Sequence, residues 1–492
     1  MIPGDMMKVK VWRVLKVSAL MFVAALLPLE CAAPTPVTTK PNIVFVMTDD
    51  MPEQLRHRMP EVHKRIVARG LRFPNAYISE SICAPSRASI LTGMYPHNTG
   101  VWMNGQPPYL HHDRESHGGL KVFREEGHEE HTVATWLEKS GYRTGLIGKY
   151  MNGYDASYVP PGWAYWAGRD TAGSEINENG YVRDYSGQFM TDVYKDKTLA
   201  FLKQATDRAG DPPFALFVWT NAPHLPPEYA ARHADLYEDE VLNPPPSFDE
   251  ADVSDKPQWI RELPRLSDED RLMLSERHRN QLRSLRAVDE MVGAILDLLQ
   301  QRGVLGNTYV VFATDNGTHM GEHRWSADRG AKHTAYEEAA GVPLAVRGPG
   351  VPAGEVRSQL VLNNDFAPTF ADIAGAHVPK EVDGRSLLPL MEGTASSEGW
   401  RTALLNERPL AGGYQEGRRI HIPAYHALIT NRYTYVEYGT GERELYNRQE
   451  DPYQLESIHK TADPALLQAL HARLMTLKAC AGKSCEAAEN GP

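Results

Sequence analysis

A basic surplus is missing from this 492-residue chain: 52 Lys and Arg stand against 63 Asp and Glu, a formal net charge of −11. Holding a nucleic-acid backbone takes a cationic surface, so no nucleic acid is expected as a partner. Long hydrophobic runs are missing too. The longest, residues 17–29, is roughly a dozen residues, short of the ~20 that cross a bilayer, so no integral membrane span is expected after its removal. Cysteine is scarce, at four residues. No internal repeat or low-complexity tract is present, which excludes a collagen-like chain. What is there is ordinary for a globular protein, with 42% hydrophobic and 23% charged residues. The length suits one large catalytic-type domain and a smaller companion. An acidic chain that handles anions must build its positive site locally.

Residues 1–33 read as an address. Lys8, Lys10, Arg13 and Lys16 precede the apolar run, Pro28 ends it, and Cys31, Ala32 and Ala33 offer small residues for cleavage. The pattern predicts a signal peptide over 1–33 and an exported protein, whether periplasmic, extracellular or lysosome-like. Lipid anchoring at Cys31 is the alternative, disfavoured by Glu30 just before it. Residues 34–41 follow as an extended linker. In an oxidising compartment Cys480 and Cys485 are expected to form a local disulfide in a tail over 480–492. Cys83 is then left without a partner, and a buried inert thiol is the usual default.

Continuous apolar runs at 43–47, 144–147, 214–219 and 308–313 predict buried strands. Helices are predicted at 130–141 and at 275–301, where Leu285, Val288, Val292, Ile295 and Leu299 recur at steps of three and four. The alternation predicts an α/β fold, a mostly parallel sheet covered on both faces, with ligands collecting beyond the carboxyl ends of its strands. This domain is expected over 42–395, with the Pro-, Asp- and Glu-rich stretch 236–270 as an excursion. Strand candidates at 426–429 and 433–438 and a helix near 465–478 predict a smaller C-terminal α+β subdomain over 396–479.

Asp49 and Asp50 follow one buried strand, and Asp315 and Asn316 follow another. Either pair alone would pass as a turn former. Two pairs converging at neighbouring strand ends would repel unless a cation lay between them. The donors are all oxygen, which favours Ca²⁺ or Mg²⁺ over zinc. Cys83 opens the stretch CAPSRASILTG at 83–93. A turn entering a helix there would set residue 83 at an anion-favouring N-terminus, with Arg87 one turn along.

The pattern Cys-x-Pro-Ser-Arg, with Thr92-Gly93 beyond it, resembles the signature of the type I sulfatases. Further stretches carry the resemblance over most of 42–460: PNIVFVMTDD at 41–50, TGMYPHN at 92–98, GKYMNGY at 148–154 and PPGW at 160–163. DNGTH at 315–319, KHTAYE at 332–337, VPLAVRGPG at 342–350, and ELYN at 444–447 with DPY at 451–453 continue it. These narrow it to the N-acetylglucosamine-6-sulfatase-like branch. The resemblance implies an alkaline-phosphatase-like fold and Ca²⁺-dependent hydrolysis of sulfate esters on sulfated sugars. It implies that a formylglycine-generating enzyme converts Cys83 to formylglycine. One hydroxyl of the hydrated aldehyde then attacks sulfur, and the second expels sulfate as the aldehyde re-forms. By the same resemblance Asp49, Asp50, Asp315, Asn316 and modified Cys83 hold the metal, and Arg87 steadies the aldehyde hydrate. Lys149 and Lys332 hold sulfate oxygens, and His224 serves the leaving-group oxygen.

One position departs from the family pattern. Many sulfatases have a histidine two positions after the lysine matching Lys149, assigned to the second proton transfer; here Met151 and then Asn152 follow. His319 is a candidate for that base or, equally, for a contact to substrate or sulfate; His97 and His323 are weaker candidates. Trp102, Tyr109, Trp163, Tyr165 and Trp166 could stack on sugar rings, although aromatics serve cores far more often. Three readings compete: a phosphodiesterase or phosphonate monoester hydrolase of the same fold, a carbohydrate-binding protein with unmodified Cys83, and a cysteine-nucleophile hydrolase.

Overall fold

The structure is a computed structural model that describes residues 40–105, 118–171, 173–208, 210–326, 331–395, 399–411 and 422–491. The leader at 1–33 with Cys31, nearly all of the linker at 34–41, and Tyr109 lie outside the described residues. The apolar runs become the parallel centre of a ten-stranded sheet. Asn42–Thr48 lies between Thr308–Thr314 and Phe214–Trp219, and Arg143–Lys149 and Tyr165–Arg169 extend it on the latter side. Antiparallel strands finish both sides, beginning with Leu344–Arg347 and Glu175–Glu178. Central strands covered on both faces have no solvent side, which is why they read as unbroken apolar runs.

Helices Met190–Ala205 and Asp268–Gln301 cover one face, over Val44, Val46, Leu216, Val218, Val310 and Phe312. Val133–Lys139 and Phe366–Ala374 cover the other. There Phe45 meets the rings of Phe217, Trp219, Phe366 and Phe370 at centroid distances of 5.6, 6.2, 5.1 and 5.3 Å. Trp163 and Trp166 also lie buried in this core, so they are not platforms for a sugar.

Two expectations change in detail. The long helix begins at Asp268, ahead of its periodic stretch, because Ser267 caps it. Ser267 Oγ accepts from the Asp270 amide at 3.1 Å, and the Asp270 carboxylate accepts from the Ser267 amide at 2.8 Å. The stretch 236–270 is not wholly an excursion: Trp259 and Ile260 are buried, with Trp259 edge-on to Trp325 at 5.7 Å.

A four-stranded antiparallel sheet follows, in the order Ala403–Arg408, Tyr425–Thr430, Tyr433–Tyr438, Arg443–Asn447, with helix Pro464–Lys478 against it. Cys480 and Cys485 are joined, and Cys83 is free and buried. Helix Lys483–Asn490 then docks through Cys485 and Ala488, which join the core beneath the sheet, and through the buried carboxylate of Glu489. Glu489 accepts from Tyr95 Oη at 2.6 Å, Arg385 at 2.7 Å and Arg401 Nε at 3.0 Å, while Arg401 also grips Asp365 with both terminal nitrogens at 2.6 and 2.7 Å. His97 belongs to this clamp as well, between Glu407 at 2.7 Å and the Cys480 carbonyl at 3.0 Å. Among the described residues no helix is long and apolar enough to cross a membrane.

Removing one partner of a buried ion pair strands the other, so Arg401→Ala is expected to cost about 3–5 kcal/mol. Lys121→Ala, from the exposed pair with Glu125, is expected to cost less than about 0.5 kcal/mol. Urea unfolding midpoints compare the two; equal shifts would contradict the clamp.

Candidate active site

Parallel neighbours deliver their carboxyl ends to one place. After Thr48 the backbone turns at Asp50 through φ 62°, a left-handed conformation that Asp tolerates. Its amide donates to Asp315 Oδ1 at 3.1 Å, and the Asp315 amide donates to the Thr48 carbonyl at 3.1 Å. The two acidic turns are thereby stitched together. On the next strand but one, Gly148 has φ 110° and lies so close to the Trp219 carbonyl that a Cβ would overlap it. Glycine there lets Lys149 leave the strand end directly over Asp49.

Cys83 is the first residue of helix Cys83–Thr92, following Ile82 in extended conformation. The Ala84 amide donates to Asn104 Oδ1 at 2.8 Å, and Ser86 Oγ donates to the Asp315 carbonyl at 2.5 Å. Arg87, one turn on, is completely buried. Its Nε donates to Asp315 Oδ2 at 2.8 Å and its Nη1 to the Lys149 carbonyl at 2.7 Å; Nη2 stands 3.6 Å from Asp49 Oδ2 with no hydrogen-bond partner. Its guanidinium lies 5.3 Å from the centre of the Trp219 ring.

The structure brings Asp49, Asp50, Cys83 and Asp315 together, with one ligand atom from each within 4.8 Å of the others. Lys149 Nζ donates to Asp49 Oδ2 at 2.5 Å, and Lys332 Nζ donates to Asp50 Oδ1 at 2.5 Å and to Cys83 Sγ at 3.1 Å. Asn316 Nδ2 donates to Asp50 Oδ1 at 2.5 Å. His224 presents Nε2 at 3.6 Å from Asp50 Oδ2 while Nδ1 is engaged with the Leu225 carbonyl at 2.8 Å.

Burial alone would raise the pKa of Asp49, yet the charges of Lys149, His224, Arg87 and Lys332 hold it well below the usual carboxylate range. Burial, and then the Asp49 charge, push the Cys83 thiol up to about 12. A thiol in this place keeps its proton at neutral pH and is a poor nucleophile.

A cation fits this cluster. The donors are hard oxygens, and Asp50 Oδ2 and Asn316 Oδ1 are both buried without a hydrogen-bond partner. Buried polar atoms are nearly always satisfied, so this pair points to a missing positive partner.

His319 takes its hydrogen bond outside this cluster. It is fully buried, with Nε2 on Thr334 Oγ1 at 2.7 Å and Nδ1 unpartnered, and burial holds its pKa well below the ordinary histidine range. His323 is occupied by Glu250 at 2.7 Å and stacked on Tyr336 at 4.1 Å. Met151 is buried in the core.

Beside Lys149 and His224 opens a cavity of about 270 Å³, also lined by Asn152, Arg169, Tyr194, Asn221 and Glu228. None of these last five was a candidate from the sequence. Arg169 ends an apolar strand, as Lys149 does, and the strand-end rule that found the aspartates would have found it. Tyr165 and Trp166, two of the aromatics considered for stacking, belong to that same strand; Tyr165 packs on Phe201 at 5.3 Å, and Trp102 bonds the Pro96 carbonyl at 3.2 Å.

Residues 41–376 match the family described as Sulfatase, and residues 321–480 match the description N-sulphoglucosamine sulphohydrolase, C-terminal. The N-acetylglucosamine-6-sulfatase of Homo sapiens is 32% identical over 91% of this chain and 86% of its own. A solved structure described as a complex with "its substrate D-Glucosamine-2-N, 6-O-disulfate" superposes with TM-score 0.74 at 24% identity, covering 92% of this chain and 99% of that one. The phosphonate monoester hydrolase of Agrobacterium radiobacter superposes with TM-score 0.65 at 19% identity, covering 89% and 96%. These likenesses identify the fold as alkaline-phosphatase-like.

An ion that binds only the folded chain stabilises it in proportion to ln(1 + [L]/Kd), about 2.7 kcal/mol at a hundred times Kd. Titrating Ca²⁺ into chelator-treated protein is therefore expected to raise Tm, and Asp50→Ala is expected to abolish the rise. A flat parent titration would remove the cation from this cluster.

Proposed function

The chain belongs to the sulfatase family, whose members hydrolyse sulfuric esters, and from that premise we propose that it removes sulfate from sulfated sugars of the N-acetylglucosamine-6-sulfate type. The observation that carries this reading is the buried ring of Asp49, Asp50, Asp315 and Asn316 around Cys83, flanked by Lys149, Lys332 and His224. Asp49, Asp50, Asp315 and Asn316 would hold Ca²⁺, joined by an oxygen of modified residue 83. The bound ion would supply positive charge to a sulfate oxygen and to the attacking oxygen.

Conversion of Cys83 to formylglycine replaces a thiol that holds its proton with a hydrated aldehyde, a carbon bearing two hydroxyls. Since Cys83 is wholly enclosed, a formylglycine-generating enzyme must act before the fold closes. Arg87, pinned by Asp315 and one helical turn beyond residue 83, would offer its unpartnered Nη2 to an oxygen of the modified residue. Lys149 and Lys332 bind sulfate oxygens whose charge grows in the transition state. With Nδ1 of His224 on the Leu225 carbonyl, Nε2 is the nitrogen aimed at the leaving alcohol. His319, neutral through burial and with Nδ1 free of a partner, takes the role of the base that Met151 cannot fill. The leader sequence and a disulfide outside the catalytic centre support export.

The test is the mass of the peptide carrying residue 83, with turnover of N-acetylglucosamine-6-sulfate and an aryl sulfate, with and without chelator. Loss of sulfur at residue 83 and chelator-sensitive turnover are expected. An intact thiol without turnover would favour a carbohydrate-binding protein, and preference for a phosphonate ester would favour phosphorus chemistry. Lys149→Ala is expected to lower kcat by about 10²–10³. His319→Ala is expected to release alcohol in a burst followed by slow turnover, with an altered pH–rate profile; unchanged turnover would remove it from the reaction.

A further inference from the structure

The cavity beside the catalytic cluster is walled by a cation that the proposed reaction does not use. Arg169 ends strand Tyr165–Arg169, which pairs in parallel with Arg143–Lys149 so that Lys149 and Arg169 are direct partners in register. Residues opposite each other on adjacent strands project from the same sheet face, about 4.8 Å apart at the backbone. The strand ends therefore set Arg169 next to Lys149, one strand farther from Asp49, and both line the same cavity.

Arg169 is also ready for a ligand. Its Nε donates to the Gly173 carbonyl at 2.9 Å, which fixes the guanidinium. Among the described residues no carboxylate lies within ion-pair distance of it, whereas Arg87, Arg232 and Arg401 all meet acids. Tyr194, on the cavity wall, donates to Asn221 Oδ1 at 2.8 Å and sets its hydroxyl beside the Arg169 guanidinium, which helps to hold that group in place. Glu228 lines the cavity too and is likewise without an ion-pair partner among the described residues. A fixed arginine fork suits an oxyanion. A carboxylate on the wall suits sugar hydroxyls and repels an anion, so the two residues give the cavity polarity.

We propose that Arg169 is a specificity-determining residue that binds a second anionic group of the substrate, carried close to the sulfate ester being cleaved. This rests on the sulfatase reading and sharpens it: the preferred substrate is an amino sugar with one more negative group than the scissile ester. That group is either a second sulfate on the same ring or a carboxylate on the neighbouring sugar.

Three sugars separate these cases: N-acetylglucosamine-6-sulfate, glucosamine-2-N,6-O-disulfate, and a disaccharide of N-acetylglucosamine-6-sulfate with a hexuronate. The parent is expected to prefer one of the two doubly anionic sugars, and which one identifies the source of the second charge. Arg169→Gln is expected to lower kcat/KM for that sugar on the order of 10- to 100-fold, leaving the singly charged sugar within about threefold. Arg169→Lys is expected to recover part of the loss. An equal fall on all three sugars, or no fall on any, would overturn the proposal. If the parent cleaves none of them, the sulfatase reading fails on its own account. Calorimetric Kd values for the same sugars then decide on Arg169, and equal affinities in parent and Arg169→Gln overturn it.

Discussion

Three carboxylates buried at the ends of adjacent parallel strands are the constraint around which the rest of the molecule is arranged. Asp49, Asp50 and Asp315 are each fully enclosed, and unpaired buried charge is among the most destabilising features a fold can carry. Each is answered by a cation from a different part of the chain: Arg87 from a helix, Lys149 from a strand end, Lys332 from a late loop. Removing any one answer leaves an acid stranded, so distant segments are locked into mutual register by electrostatics as well as by packing.

That requirement explains local backbone choices that would otherwise look arbitrary. Asp50 adopts a left-handed conformation because its amide must reach Asp315 while its carboxylate turns inward. Gly148 interrupts an apolar strand because any side chain there would strike the Trp219 carbonyl, and Lys149 must follow immediately. Helix Cys83–Thr92 buries every one of its residues, including an arginine and three hydroxyl-bearing residues. The helix serves as a rigid mount, pinned by Ser86 to Asp315 and by Asn363 to the Ser86 carbonyl and hydroxyl.

How much of this was legible in the sequence depends on the range of the signal. The central strands announced themselves because burial on both faces forces unbroken apolar runs. The acidic turns were visible because parallel strands present their carboxyl ends to one site. The helix at Cys83 could be read from a proline and a good helical run. The start of the long helix was hidden because its first turn, Asp268, Glu269 and Asp270, is charged and obeys capping rather than periodicity. The cavity wall was only partly legible: Arg169 stands at a strand end where the rule that found the aspartates reaches, but Tyr194, Asn221 and Glu228 come from separate segments, and only pairing in register makes neighbours of Lys149 and Arg169. Trp163 and Trp166 looked like sugar platforms for want of any sequence signal that separates a buried ring from an exposed one.

Charge at the site resolves the conflict between an acidic chain and an anionic substrate. Within the cluster Asp49, Asp50 and Asp315 are balanced by Arg87, Lys149 and Lys332, so the protein alone brings its centre close to neutrality. A divalent cation, were one held by the unsatisfied Asp50 and Asn316 oxygens, would leave two positive charges uncompensated, in a place from which water is largely excluded and where charge acts strongly. Two charges are what a released sulfate dianion carries. The surface can remain acidic, with a formal net charge of −11 over the whole chain, since attraction is confined to the strand ends. An acidic exterior also turns away anions that cannot reach those ends, so selectivity falls to whatever lines the cavity beside them. Arg169 is the cation in that position.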